Sequence, residues 1–515
     1  MSSSSQTPTL STAKAILYGL GVCGAQFMAG YVNSFQTQYY SDMYSTLDTN
    51  IFFVVAIIIL VAKLMSSLAD PIIGALIDRS QLKGGKIIPW IGISALPIAL
   101  LTTMIFIYIP FGNLGGTAGK VVMYAYITLT TVCWNIAYSL ADIPNQSLLT
   151  LLSPHADERN KAAGFANTFK SIAGSIPGVF VTFIMMILGA IMHKDSTDIG
   201  YVRTYYITAA LVFFVIGGGL HLVNFFGAKE RVMSVGNKTV SFHEMFAELK
   251  RNRMIRLLFL SAILGFARGV VGAVVLQAGG VLVGKVYVPI LSKLLAGDMP
   301  LDPTSNATWL TGIASGITSM VSIVLVPFIN KRWGERKTFI IFGLYGFAVC
   351  MAASIFYWAL PADSLLRGGL PALLMLWIML FFMGFMYGTH GYLPLVMTAD
   401  IIDYQEWRTG ERREGVNYAI LSMANKISGA FAVATGILLV AISGYNANAT
   451  VNARMQNWLC FAYIAMPGIG CLLSILPILR YKIDEPTKLQ MRRELAERRA
   501  QAAETTAGSA EEGDA

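Results

Sequence analysis

Read for apolar and polar positions, the chain divides into twelve mostly apolar runs separated by polar connectors. The first six runs lie near 15–40, 51–77, 89–110, 120–148, 164–192 and 203–226, and the second six near 255–288, 307–330, 338–360, 372–396, 415–443 and 457–479. A helix needs about 20 largely apolar residues to cross a bilayer, so each run predicts one crossing. The run at 255–288 is long and glycine-rich and predicts a broken or tilted helix. A hydrophilic stretch, Ala228 to Arg253, separates two sets of six. The expected layout is therefore a leading segment 1–14, a six-helix bundle 15–226, a central loop 227–254, a second bundle 255–479 and a tail 480–515. Within the tail, 485–503 reads as a helix and the last dozen residues as disordered.

Composition agrees with lipid as the solvent. Hydrophobic residues make up 55% of the 515 and charged residues 13%, about half the roughly 25% of an average soluble chain. The residues up to Thr12 are polar, without the basic start and cleavage site of a signal peptide. Five cysteines lie in apolar runs with no paired spacing, which reads as packing.

The net charge of +9 is sorted by place. Of 38 Lys and Arg, 27 fall on the side shared by both termini and the even-to-odd connectors, and seven on the opposite side. Basic residues stay cytoplasmic, so both termini are expected inside, and the excess charge signals topology rather than nucleic-acid binding. The two halves echo each other. Gly74 to Arg79 with Gly84, Gly85 and Lys86 follow the second run, and Lys331, Arg332, Gly334, Arg336 and Lys337 follow the eighth. Such a parallel duplication predicts an all-α major facilitator fold, twelve helices in two six-helix halves.

The remaining four cations, Lys63, Lys170, Arg268 and Lys426, lie inside apolar runs with the acids Asp70 and Asp142. Each costs about 2.5–3.5 kcal/mol at the bilayer centre on insertion scales, so they mark function or paired structure. Asp70 precedes Pro71, and Asp142 stands two residues before Pro144. Proline loosens the helical backbone, and the freed carbonyls can complete a cation site with a carboxylate. Convergence of Asp70 and Asp142 would make a site for Na⁺ or H⁺, with Lys426 or Arg268 controlling its charge. Gly19, Gly21 and Gly24 have the spacing of a dinucleotide fingerprint but sit in an apolar run with no preceding strand, which favours helix packing. Gly312 and Gly316 fit the same reading. His390 reads as a buried neutral histidine. No metal, nucleophile or phosphate motif supports an enzyme, and no cofactor is expected beyond the coupling ion.

Several motifs then resemble the glycoside-pentoside-hexuronide:cation symporters, of which the melibiose carrier is the best-known type. These are Lys63 through Asp70-Pro71 to Gly74 with Lys86, Pro89 and Trp90; Tyr138-Ser139-Leu-Ala-Asp142-Ile-Pro144; and Asp400-Ile-Ile-Asp403-Tyr404-Gln-Glu406-Trp407-Arg408 with Gly410, Arg413 and Gly415, in the loop between runs ten and eleven. Lys426 matches a lysine of the eleventh helix. The resemblance implies sugar uptake driven by Na⁺, Li⁺ or H⁺, with Asp70, Asp142 and Ser139 as cation ligands. It makes Lys426 the link between the two sites and puts Tyr138 at their junction.

The departures matter as much. Ser66 replaces a second acid of the cation cage, which favours H⁺. Gln26, Gln146 and Asn167 replace the sugar-site aspartate, tryptophan and arginine, yet each can hydrogen-bond hydroxyls. With Arg268 and Lys426 they form the candidate substrate set. Four midspan cations against two acids leave +2, which suits an anionic, hexuronide-like sugar. Asp78, Arg79, Arg332, Asp403 and Arg413 are candidate gating residues. The expected protein is a monomeric multi-pass symporter of the plasma (inner) membrane that uses alternating access on a small-molecule substrate. The alternatives are a symporter of a non-sugar solute such as a lysolipid, and a sensor that binds without transporting.

Overall fold

The structure is a computed structural model that describes residues 10–79, 82, 85, 87–153, 156–193, 198–230, 242–287, 303–410, 413–445, 450–483, 486–491, 493–495 and 497. Its regular elements are helices. The first six are α1 (Thr12–Tyr44), α2 (Ile51–Arg79), α3 (Ile88–Ile105), α4 (Gly116–Leu152), α5 (Ala156–Met192) and α6 (Ile199–Gly227). A short α7 (Phe242–Arg251) lies between the halves. Then follow α8 (Arg253–Leu264), α9 (Val270–Leu282), α10 (Pro303–Trp333), α11 (Glu335–Ala359), α12 (Gly369–Thr409), α13 (Glu414–Ser443), α14 (Ala453–Cys460) and α15 (Met466–Ile478).

Among the described residues, eleven helical segments are long and apolar enough to cross a membrane, taking Arg253–Leu282 and Ala453–Ile478 as one each. With α5 they match the twelve expected crossings. The seventh breaks as its glycines predict, through a 3₁₀ turn at Gly265–Gly269. The twelfth carries a π turn at Phe461–Ala465. One expectation is corrected: the segment from Asp400 to Thr409 is not a loop but the last turns of α12, which ends at Gly410 in the left-handed region, φ 72°. Those turns hold neither proline nor glycine, so nothing breaks the helix before Gly410.

The first six helices pack mainly on one another, with α1 against α5 and α6 and α3 against α4 and α6. Glycine makes the α1–α6 approach possible. A Cβ on Gly24 would lie 2.2 Å from the His221 backbone nitrogen, and one on Gly21 would overlap Asn224, so the fingerprint spacing is a packing seam. The same reading fails at Gly316, where a Cβ would meet nothing. In the other half α10 packs on α12 and α11 on α15, and the halves meet chiefly along α2 and α13. At the face away from the termini, Gln277 Nε2 on α9 donates to Gln38 Oε1 on α1 at 3.0 Å, both side chains buried.

The tail is docked. Tyr481, Ile483, Met491 and Leu495 are buried. Lys488, 2% exposed, pairs with Glu335 at the start of α11 and with Asp400 on α12 at 2.5 Å. Trp407 Nε1 donates to Glu494 at 2.6 Å. Removing one member of a buried charge cluster strands the others and costs about 3–5 kcal/mol. Lys488→Met is therefore expected to lower the thermal unfolding temperature of the purified protein clearly. An unchanged temperature would show that the docked tail does not hold α11 to α12.

Candidate ion and substrate site

The midspan charges sort into two cross-helix pairs. Lys426 Nζ on α13 donates to Asp70 Oδ2 on α2, so this pair joins the two halves. Lys170 Nζ on α5 donates to Asp142 Oδ1 on α4 at 2.8 Å. Gln146, one turn along α4, donates Nε2 to Asp142 Oδ2 at 2.5 Å.

The carboxylates share a level. α2 and α4 pack side by side and run the same way, and Ser66 and Ser139 share a hydrogen bond across them at 2.8 Å. Ser66 also donates to the Asn135 carbonyl at 3.1 Å. Asp70 lies four residues past Ser66, and Asp142 three past Ser139. At 1.5 Å rise per residue both acids sit about 4.5–6 Å nearer the basic end. Tyr138 lies within electrostatic reach of both. Pro144, inside α4, leaves the Leu140 carbonyl without its helical donor. Asp70 Oδ1 is buried and accepts no hydrogen bond among the described residues.

On the side away from the basic end the wall carries polar and aromatic side chains. Tyr138 donates its hydroxyl to Gln26 Oε1 on α1 at 3.0 Å. Its ring stacks on Trp134 with centroids 5.6 Å apart and planes at 13°, and Trp134 Nε1 donates to Thr102 at 2.9 Å. Lys63 Nζ donates to Asn33 Oδ1 at 3.2 Å. Asn33 follows Gln26 by seven residues, so the two share one face of α1, and neither is fully buried.

Two further cations lie apart from Asp70 and Asp142. Arg268 does not join the carboxylates; its Nη1 donates to Ser474 Oγ on α15 at 2.8 Å, inside the second half. The break at Gly265–Gly269 turns it that way. Arg413 pairs with Glu248 on α7 at 3.5 Å. Arg332 is exposed, and Asp403 is half-buried near the end of α12. The side chains of Asn167, Asp78 and Arg79 lie outside the described residues.

The structure adds a cluster the sequence did not announce. His221 on α6 is fully buried; its ring nitrogens contact Ser94 Oγ at 3.0 Å and Asn145 Nδ2 at 3.3 Å. Asn224 donates Nδ2 to Asn145 Oδ1 at 2.8 Å and to the Tyr18 carbonyl at 3.2 Å, and Tyr18 donates to the Asn145 carbonyl at 2.9 Å. This network ties α1, α3, α4 and α6 together three residues from Asp142. Its signal was present in the sequence as amides and a histidine at helical spacing within apolar runs. His390 is buried as expected, with Nδ1 3.1 Å from the Met386 carbonyl.

Comparison with known proteins completes the picture. The isoprimeverose transporter of Lactiplantibacillus pentosus is 25% identical over 91% of this chain and 88% of its own length. The glucuronide carrier protein homolog of Escherichia coli (strain K12) is 24% identical over 85% of each chain. Among solved structures, a D-xylose-proton symporter superposes with a TM-score of 0.57 at 15% identity, over 93% of this chain and 98% of that one, which shows the major facilitator fold. The model of the MFS/sugar transport protein family matches residues 17–277 and 301–485, so the chain belongs to that family and is a multi-pass membrane transporter, not an enzyme.

Proposed function

We propose that the protein imports a sugar or glycoside in symport with H⁺ or Na⁺ by alternating access, as a monomer in the plasma (inner) membrane with both termini cytoplasmic. One observation carries this reading: two carboxylates at one level on adjacent helices, each held by a lysine from another helix, with Asp70 Oδ1 buried and unpartnered among the described residues. A cation entering between them competes with the two ammonium groups. The Asp70–Lys426 pair spans the halves, so its charge state bears on their relative position. Gln26 and Tyr138 offer donors and acceptors to hydroxyls beside a stacked aromatic pair. Binding of ion and sugar is then reciprocally linked. The Gln38–Gln277 contact supports a state closed at the far face, and Arg332, Asp403 and Arg413 would gate the basic face.

An acidic substrate is favoured by the charge that pairing leaves over. Lys170 and Lys426 are matched by carboxylates, whereas Lys63 and Arg268 meet the neutral Asn33 and Ser474. The glucuronide carrier homolog among the relatives supports the same class. Uptake into proteoliposomes tests both statements, with Na⁺, Li⁺ and pH gradients varied across a neutral glycoside, a glucuronide and a lysolipid. The expected result is sugar accumulation that follows one ion gradient, with the glucuronide preferred. Accumulation of lysolipid alone would replace the sugar, and binding without counterflow would make the protein a sensor.

A further inference from the structure

A crevice of about 80 Å³ opens at the basic end of the first half, between the start of α1 and the ends of α4 and α6. The space is small, with room for several waters or one compact polar group. Lys14 and Lys229 stand at its rim, both exposed, and neither has a carboxylate partner among the described residues. Two described acids nearby are held by donors other than these lysines. Glu158 accepts from the Leu10 amide at 2.9 Å and from Ser153 at 2.5 Å. Glu230 accepts from the Ile87 and Ile88 amides at 2.7 and 3.0 Å. Lys161, on α5, donates to Thr12 at 2.8 Å and adds positive charge. Leu10 and Leu17 supply an apolar wall, and the exposed side chains of Leu17 and Phe226 continue it along the bundle surface.

We infer that this crevice seats the phosphate of an anionic phospholipid from the leaflet at the basic face. The two ammonium groups complement one phosphodiester, and the acyl chains lie along the apolar surface beside Leu17. Basic pockets between membrane helices at this depth recognise anionic headgroups. The floor of the crevice includes Tyr18 and Asn224, two members of the network that reaches Asn145, one turn from Asp142. A bound lipid therefore clamps α1 to α6 beside the segment that presents the candidate ion site.

Thermal unfolding of the purified full chain in neutral detergent tests the site without knowledge of the substrate, because a ligand that binds only the folded state raises its unfolding temperature. Phosphatidylglycerol is expected to raise that temperature by a few degrees, phosphatidylcholine and inorganic phosphate not at all. Lys14→Gln/Lys229→Gln is expected to lose the phosphatidylglycerol response. Lys331→Gln/Lys337→Gln, which removes equal charge from exposed positions in the second half, is expected to keep it. The inference is overturned if the first double variant still responds fully, if the second loses the response equally, or if inorganic phosphate reproduces it.

Discussion

Asp142→Asn is expected to abolish accumulation of substrate against a gradient while leaving slow equilibration across the membrane. Asparagine has nearly the same shape and keeps an oxygen to accept from Gln146. It removes the charge that Lys170 neutralises at 2.8 Å, so a cation gains nothing by displacing the lysine. Linked sites typically change each other's affinity by about 5–150-fold, and that whole factor is forfeited. Lys170→Gln should act in the opposite direction on ion affinity. With its competitor gone, Asp142 binds the coupling ion more tightly, and half-maximal uptake moves to lower ion concentration. Initial-rate uptake against Na⁺ concentration and pH reads both effects. Undiminished accumulation by Asp142→Asn would remove Asp142 from the ion site, whatever the substrate proves to be.

The level at which these groups act was legible in the sequence, but their partnerships were not. Charges in apolar runs are visible because each is costly there, and the helices that carry Asp70, Asp142, Lys170 and Lys426 follow from hydrophobic length alone. Which lysine meets which acid depends on how helices rotate and slide against one another, and Asp70 and Lys426 are 356 residues apart. Lys63 and Lys170 were equal candidates in the sequence; the structure gives one a carboxylate and the other an amide. Whether Lys426 or Arg268 meets a carboxylate stayed open in the sequence, because the glycine-rich turn that carries Arg268 is visible only as a break, not as a direction. The tail shows the opposite limit. Lys488 sits in a charged stretch that reads only as a helix, yet it is buried against Glu335 and Asp400. Apolar periodicity carries no information about a buried charge whose partners lie on other helices.

The Asp70–Lys426 pair makes the second large prediction, because it is both a tie between halves and a candidate part of the ion site. Lys426→Met strands Asp70 among apolar helices, and Asp70→Asn strands Lys426. An uncompensated charge at membrane depth costs about 2.5–3.5 kcal/mol on insertion scales, roughly two orders of magnitude in an equilibrium. The pair is partly open, with side chains 30% and 19% exposed, so solvent screens some of that cost. Each single variant is expected to lose ion-driven uptake and to unfold at a lower temperature. The double variant Asp70→Asn/Lys426→Gln removes both charges together. It is expected to recover most of the thermal stability, since two neutral amides can bond each other, yet still to fail in ion-driven uptake. Thermal unfolding and proteoliposome uptake on the same three preparations separate the two roles. Recovery of uptake along with stability would reduce the pair to a structural tie and leave Asp142 alone to carry the ion. Failure of both in the double variant would mean that the neutral pair cannot hold α2 against α13, and a charge-reversed Asp70→Lys/Lys426→Asp protein then decides. Restored stability without uptake places the coupling ion on the α2 side of the seam, where a carboxylate can take it and a lysine cannot.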